Sequence, residues 1–269
     1  MNLEQIFDKL WNQYIIESPD SKRVYDLLIA EGENVVNDHI AFRTFSDCSV
    51  DKDHLQKFWL NLGYEIKGEY RFEAKKLTAR HYEHKTDPNQ PKIFISQLEI
   101  REFSTYLQEQ VKKCVMNIPT ALLNSPEILF SGNCFGELDY DVYQKLLAES
   151  EYAAWVYVFG FRANHFTVYI NHMKKLNTVQ AINEFLKSKG FKLNSAGGEI
   201  KGTPEQLLEQ SSTMANEVMV PFKQGKFKVL NSFYEFAKRY PMSDGKLYQG
   251  FIAASADKLF ESTYISNNI

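Results

Sequence analysis

The stretch Asn37-Asp38-His39-Ile40-Ala41-Phe42-Arg43-Thr44-Phe45 reads as a buried strand carrying two residues that such a strand normally excludes. Side chains alternate along a strand, so His39, Ala41, Arg43 and Phe45 share one face while Ile40, Phe42 and Thr44 share the other. An imidazole and a guanidinium on an inner, apolar face need partners. A metal ion for His39 and an anionic ligand for Arg43 would supply both. Four residues at about 3.3 Å each put the two Cα atoms roughly 13 Å apart. That span suits a small dicarboxylate held by the metal at one end and by the guanidinium at the other.

Working outward, 51–62 reads as a helix with Leu55, Phe58, Trp59 and Leu62 on one stripe and Gly63 at its end. The segments 64–67, 77–82 and 92–98 are predicted strands by alternation or by Ile and Phe content. Before them, Leu3, Ile6, Phe7, Leu10, Trp11 and Tyr14 recur at helical spacing. Val24, Tyr25, Leu27 and Leu28 suggest a second short helix ahead of Gly32. After them, Phe103, Tyr106, Leu107, Val111 and Val115 mark a helix before Pro119, with another over 142–148.

The first pattern then returns. The run 155–170 is read as β-rich, with Gly160 as a bulge or bend, followed by a helix over 178–189 that ends at Gly190. Segments 191–193, 217–222, 227–230 and 232–238 offer the later strands, punctuated by Gly197, Gly198, Gly202, Pro204 and Gly225. Gly63 and Gly190, each followed by an aromatic residue, lie 127 positions apart, and His39 and His165 lie 126 apart. Two independent markers agreeing to one residue point to a duplicated βαβββ unit. The expected organisation is a single α+β domain over 1–269. It comprises a helical cover (1–36), a first module (37–100), a helical insertion (101–150), a second module (151–240) and a C-terminal pocket segment (241–269).

The chain has 269 residues, 44% hydrophobic, 24% charged and 14% aromatic, with a formal charge of -3. That is an ordinary globular composition without the basic footprint of a nucleic-acid binder. No apolar run approaches the roughly 18 residues that span a bilayer. The N-terminus is acidic and amphipathic, unlike a signal peptide, so a cytoplasmic protein without membrane or nucleic-acid partners is expected. Cys48, Cys114 and Cys134 are too few and scattered for a disulfide framework or a cysteine zinc site.

In Arg162-Ala163-Asn164-His165-Phe166-Thr167-Val168-Tyr169-Ile170, His165 again sits inside a strand-like run. In Ser232-Phe233-Tyr234-Glu235-Phe236-Ala237-Lys238-Arg239, Glu235 has an aromatic on each side. A carboxylate in that setting is costly unless something positive meets it. His39, His165 and Glu235 together would form a two-histidine, one-carboxylate triad with three open coordination positions, the arrangement diagnostic of non-haem Fe(II) oxygenases; zinc or manganese could use the same ligands. The bland alternatives are satisfied core histidines and a Glu235 paired with Lys238 or Arg239. His54, His81, His84 and His172 read as exposed residues outside the site. Gly197-Gly198-Glu199-Ile200-Lys201-Gly202 lacks a nucleotide-binding spacing and reads as a hairpin or lid, and Ser211, Ser212 and Thr213 have no nucleophile context.

With these residues in hand, the chain resembles the 2-oxoadipate dioxygenase/decarboxylase family. The resemblance is carried by 39–45, by Asn164-His165-Phe166-Thr167, by 233–239 and by 248–262. It implies the vicinal-oxygen-chelate fold, with His39, His165 and Glu235 as ligands of Fe(II) and Arg43 on the substrate carboxylate remote from the metal. It also implies Ala254 and Ser255 in the substrate pocket. A 2-oxo acid and dioxygen would be the small-molecule partners, and 2-oxoadipate would give 2-hydroxyglutarate, a step of lysine breakdown. Ala254 stands where larger members carry a bulkier residue. Glu235 also lies in a motif similar to that of 4-hydroxyphenylpyruvate dioxygenase. Another metalloenzyme on this scaffold (an extradiol dioxygenase or a glyoxalase-like isomerase) and a non-catalytic binding protein are the competing readings.

Overall fold

The protein is described by a computed structural model over residues 1–263; residues 264–269, the end of the expected pocket segment, lie outside the described residues. The chain divides into two compact units. One holds Met1–Tyr14, Ala41–Asn164 and Glu217–Asn231; the other holds Ile15–Ile40, His165–Asn216 and the chain from Ser232 onward. No helix among the described residues is long and apolar enough to cross a membrane.

Helices α1 (Leu3–Glu17) and α2 (Pro19–Ala30) open the chain, α1 burying Ile6, Leu10 and Tyr14 along one stripe. Strand β1 (Asn37–Phe45) follows and is buried from Ile40 to Phe45. Asp51 caps α3 (Lys52–Asn61), its side chain accepting from the His54 backbone N–H. Gly63, at φ 94°, takes the left-handed turn that ends α3. The first unit then lays down β2 (Tyr64–Phe72), β3 (Leu77–His84) and β4 (Lys92–Leu98), in the hydrogen-bonded order β2-β3-β4-β1.

Three helices lie in the expected insertion, α4 (Thr105–Met116), α5 (Thr120–Leu123) and α6 (Tyr140–Glu149), and a fourth, α7 (Glu151–Phe159), stands at the start of the expected second module. The reading of 155–170 as one β-rich run is corrected here, because its first part is α7 and only β5 (Ala163–Tyr169) is strand. Every residue of α7 from Tyr152 to Phe159 is buried, so the helix is apolar all round and shows no 3.6-residue stripe. The Ser150 hydroxyl accepts from Ala153 N–H at its start. Gly160, at φ 64°, ends it; a Cβ there would overlap the Gly132 carbonyl.

The second module repeats the first. After β5 come α8 (Val179–Ser188), Gly190 at φ 83°, β6 (Lys201–Thr203) and β7 (Leu208–Ser212). Between β2 and β3 the chain makes a 3-10 turn and then places Lys76 at φ 53°; between β6 and β7 it makes another and places Leu207 at φ 66°. Two left-handed non-glycine residues at the same structural step support duplication more firmly than the glycines do. The hairpin β8 (Glu217–Phe222) and β9 (Gly225–Leu230) intervenes, and β10 (Phe233–Arg239) completes the module before α9 (Ala253–Leu259). The hydrogen-bonded order β5-β10-β7-β6 retraces that of the first module, with β10 parallel to β5 and antiparallel to β7.

Three strand expectations change. The segment 191–193 reduces to one bridge, Leu193 with Thr213. Strands β8 and β9 pair only with each other, and Phe227 stacks on Tyr140 of α6 with ring centroids 3.6 Å apart. Strands β6 and β7 went unread because they are short and polar. The 197–202 loop is pinned by Lys201, whose buried ammonium donates to the carbonyls of Asn194 and Gly198; burial pulls its pKa down to about 8.

In the second unit the buried Glu33 carboxylate accepts backbone N–H bonds from Lys174, Lys175 and Leu176 at 2.6, 3.0 and 2.8 Å. Burial alone would raise its pKa, but these donors and the Lys175 charge hold it below the ordinary value. The depressed pKa means the stabilisation is present above the ordinary carboxylate range and fades as pH falls through the folded-state value. Glu33→Gln is expected to cost about 1–2 kcal/mol at neutral pH. The gap from wild type should narrow toward about pH 3, measured by denaturant unfolding at both values; a gap independent of pH would contradict this account.

Candidate metal centre

His39 is the third residue of β1, His165 the third of β5 and Glu235 the third of β10. In the parallel β5/β10 register Phe233 lies beside His165 and Glu235 beside Thr167. His165 and Glu235, each two residues from its neighbour's partner, therefore share a face of the sheet. The structure brings all three candidate ligands together inside the second unit, with one donor atom from each lying within 4.8 Å of the others. His165 Nε2 is 3.1 Å from Glu235 Oε2, and His39 Nε2 is 3.5 Å from Glu235 Oε1. The histidine rings meet edge to face with centroids 5.6 Å apart.

Glu235 is 1% exposed, a costly place for a carboxylate. Burial pushes its pKa up, yet the two imidazoles and a hydrogen bond donated by Gln210 Nε2 at 2.6 Å more than offset this and hold the group below its usual range. Gln210 was not identified from sequence; it sits on the unread β7, opposite Ala237 in register.

The orientation of His39 is set from behind. Its Nδ1–H donates to Asp38 Oδ1 at 2.8 Å, so the Nε2 lone pair faces Glu235 and the Thr167 hydroxyl, 3.1 Å away. Asp38 is itself gripped by Arg239, Nε to Oδ2 at 2.6 Å and Nη2 to Oδ1 at 2.8 Å, with both side chains 0% exposed. Arg239 thus serves Asp38 and not Glu235, the partner that the bland reading offered it. Two Nε2 atoms and an ionised carboxylate, all buried and converging, fit a divalent ion: the ion supplies the positive charge that the acid requires, and an outer carboxylate sets the imidazole tautomer.

Arg43 belongs to the first unit, 2% exposed, where its Nη1 pairs with Glu151 Oε1 at 3.1 Å and the guanidinium lies 4.8 and 5.1 Å from the Tyr152 and Trp155 ring centroids. Ser255 is buried on α9 and Ala254 is exposed. A Cβ placed at Gly202 would come within 3.4 Å of the Ser255 hydroxyl. His81, expected in the open, is buried and bonded through Nδ1 to the Tyr70 hydroxyl and through Nε2 to Glu83. His172 is exposed as expected, and His54 and His84 are half-buried.

Comparison with known proteins agrees with this geometry. The family model for 2-oxoadipate dioxygenase/decarboxylase matches residues 6–124 and 135–246. A chloroplastic 2-oxoadipate dioxygenase/decarboxylase from Arabidopsis thaliana is 32% identical over 283 residues, covering 93% of this chain and 74% of the relative. The crystal structure of hydroxyglutarate synthase from Oryza sativa in complex with 2-oxoadipate superposes with a TM-score of 0.91 at 31% identity, covering 96% of this chain and 91% of that one. A glyoxalase superfamily structure from Ralstonia eutropha JMP134 shares the fold, with a TM-score of 0.74 at 22% identity over 91% of this chain and 83% of that one.

Glu235→Ala is expected to lower affinity for divalent cobalt or zinc by more than about a hundredfold, as loss of a direct ligand should exceed the effect of an outer partner. His172→Ala should change nothing. Competition against a chelating dye measures both, and equal affinities would remove Glu235 from the site.

Proposed function

The chain belongs to the 2-oxoadipate dioxygenase/decarboxylase family, and from that premise we propose that it converts 2-oxoadipate and dioxygen into 2-hydroxyglutarate and carbon dioxide, with ferrous iron held by His39, His165 and Glu235. The atoms balance: one oxygen completes the new carboxylate of the shortened acid, the other becomes its 2-hydroxyl, and the original carboxyl leaves as carbon dioxide. A ferrous ion there would supply the open positions at which a 2-oxo acid chelates and dioxygen is activated. The observation that carries the reading is the convergence of three buried donor groups, His39, His165 and Glu235, on one point.

The protein's own contribution begins with the donor set. Two neutral imidazoles and one carboxylate leave a divalent ion with net positive charge, which favours an anionic 2-oxo acid. Gln210 and Asp38 keep Glu235 and His39 from swinging out of place.

In this proposal Arg43 takes the distal carboxylate. Its guanidinium is buried, and Glu151 is the anion it holds in the first unit. A two-pronged contact from Arg43 would fix the far end of a diacid, so that the carbon to be hydroxylated is presented in one orientation. Ser255, buried on α9, would line the substrate pocket with Ala254 beside it in sequence. A place in lysine breakdown follows from the proposed substrate.

Anaerobic reconstitution with Fe(II), then addition of oxygen and 2-oxoadipate, should yield 2-hydroxyglutarate by mass, with oxygen consumed one to one. Metal uptake without oxygen consumption would overturn the proposal. Arg43→Lys should raise KM for 2-oxoadipate roughly ten- to hundredfold and leave metal content intact. The same change should hardly affect a 2-oxo monoacid of equal length, and equal effects on both acids would remove Arg43 from the distal carboxylate.

A further inference from the structure

Arg239 does more than neutralise Asp38. Its third nitrogen, Nη1, donates to the carbonyls of Tyr248 and Gly250 at 3.0 and 2.8 Å, so one buried guanidinium holds both the acid behind His39 and the chain that leads into α9. Its backbone is clamped in turn by Asn171, whose Nδ2 donates to Arg239 O and whose Oδ1 accepts from Arg239 N–H. The next residue along that chain, Phe251, sets its ring edge-on to His39 with centroids 4.8 Å apart, and the Arg239 guanidinium lies 5.2 Å from the same ring. The circuit closes on itself: His39 to Asp38 to Arg239 to Gly250 and Phe251, and back to His39. All of its members belong to the second unit.

We propose that Arg239 is a positioning residue that couples metal capture at His39 to the seating of segment 247–252. The physical reason is directional. With an ion held on Nε2, His39 would donate its Nδ1–H more strongly to Asp38 and its ring plane would be fixed. The fixed ring gives Phe251 a defined surface, and the same Arg239 that holds Asp38 holds the carbonyls that place Phe251. Coupling of this kind is reciprocal, so disturbing the segment must weaken the ion by the factor that the ion protects the segment. Segment 247–252 contains no helix; besides the circuit it is held by the Leu247–Pro241 bridge, by Tyr248 N–H donating to Tyr240 O at 3.0 Å and by the Ile252 carbonyl that starts α9, so the Arg239 contacts are a substantial share of what seats it.

Gly250 offers access to the far end of the circuit. A Cβ there would meet the Tyr248 hydroxyl at 2.5 Å, forcing the segment to shift without touching a ligand. The proposal rests on the metal reading of the triad and is independent of which 2-oxo acid is the substrate.

The test uses the full chain and Co(II) under anaerobic conditions, reading affinity and the visible ligand-field bands, with hydrogen exchange over 247–252 in the presence and absence of the ion. In wild type, Co(II) should slow exchange in that segment at least threefold. Asp38→Asn should weaken Co(II) about 10- to 100-fold and shift the bands. Arg239→Lys should weaken Co(II) and abolish the ion-dependent slowing. Gly250→Ala should weaken Co(II) severalfold, and it remains informative if either charge variant fails to fold. Should Gly250→Ala loosen the segment yet bind Co(II) as wild type does, or should Co(II) leave wild-type exchange unchanged, the coupling is refuted while the metal centre stands. Failure of wild type to bind any divalent ion refutes both.

Discussion

A carboxylate buried between two imidazoles is the constraint around which the second unit is arranged. Glu235 has almost no contact with water, and an isolated ionised acid in that position would cost several kcal/mol or more, or would become protonated. His39, His165 and Gln210 converge on it, the last donating a hydrogen bond at 2.6 Å. Asp38, fully buried behind His39, poses the same problem and meets it with Arg239. The buried charges of Glu235, Asp38, Arg239 and Lys201, together with two imidazole rings, do not amount to an efficient way of stabilising a fold, since apolar residues of similar volume would pack as well. Their retention makes sense for a ligand set that holds the proposed divalent ion.

The pattern of what could be read from sequence follows from the same physics. Periodicity and turn chemistry reveal elements that bury one face, so α3 and α8, the strands β1, β4 and β10 and the terminating glycines were legible. Periodicity is silent where an element is buried on all sides, which is why α7 was read as strand. It is silent again where a strand is short and polar, which hid β6 and β7 and with them Gln210. The ligands themselves were legible because a histidine inside an apolar strand, and a glutamate between aromatics, contradict their surroundings. Asp38 and Arg239 were in plain view, adjacent to His39 and four residues after Glu235 respectively, yet nothing local says that two charges about 200 positions apart in the chain neutralise each other. Long-range ion pairing leaves no periodic trace. His81 shows the converse: flanking polar residues suggested solvent, whereas Tyr70 and Glu83 satisfy it in a buried position.

Duplication explains how the ligand set was assembled and why it is lopsided. Each module contributes the third residue of its first strand, His39 from β1 and His165 from β5. The last strands of the two modules, β4 and β10, each have seven residues, and the third is Phe94 in one and Glu235 in the other. Here the first module supplies no carboxylate from that position.

That asymmetry has a chemical consequence. A second carboxylate would cancel the net positive charge of a divalent ion and would occupy one of the positions left open by a three-ligand set. Chelation of a 2-oxo acid takes two positions and leaves one for dioxygen, so a four-ligand site could accept the acid or the oxygen beside a fixed ligand but not both in that geometry. On the proposed reaction, a set of three protein ligands and no more is therefore as much a part of the site's chemistry as the identity of the side chains that converge on it.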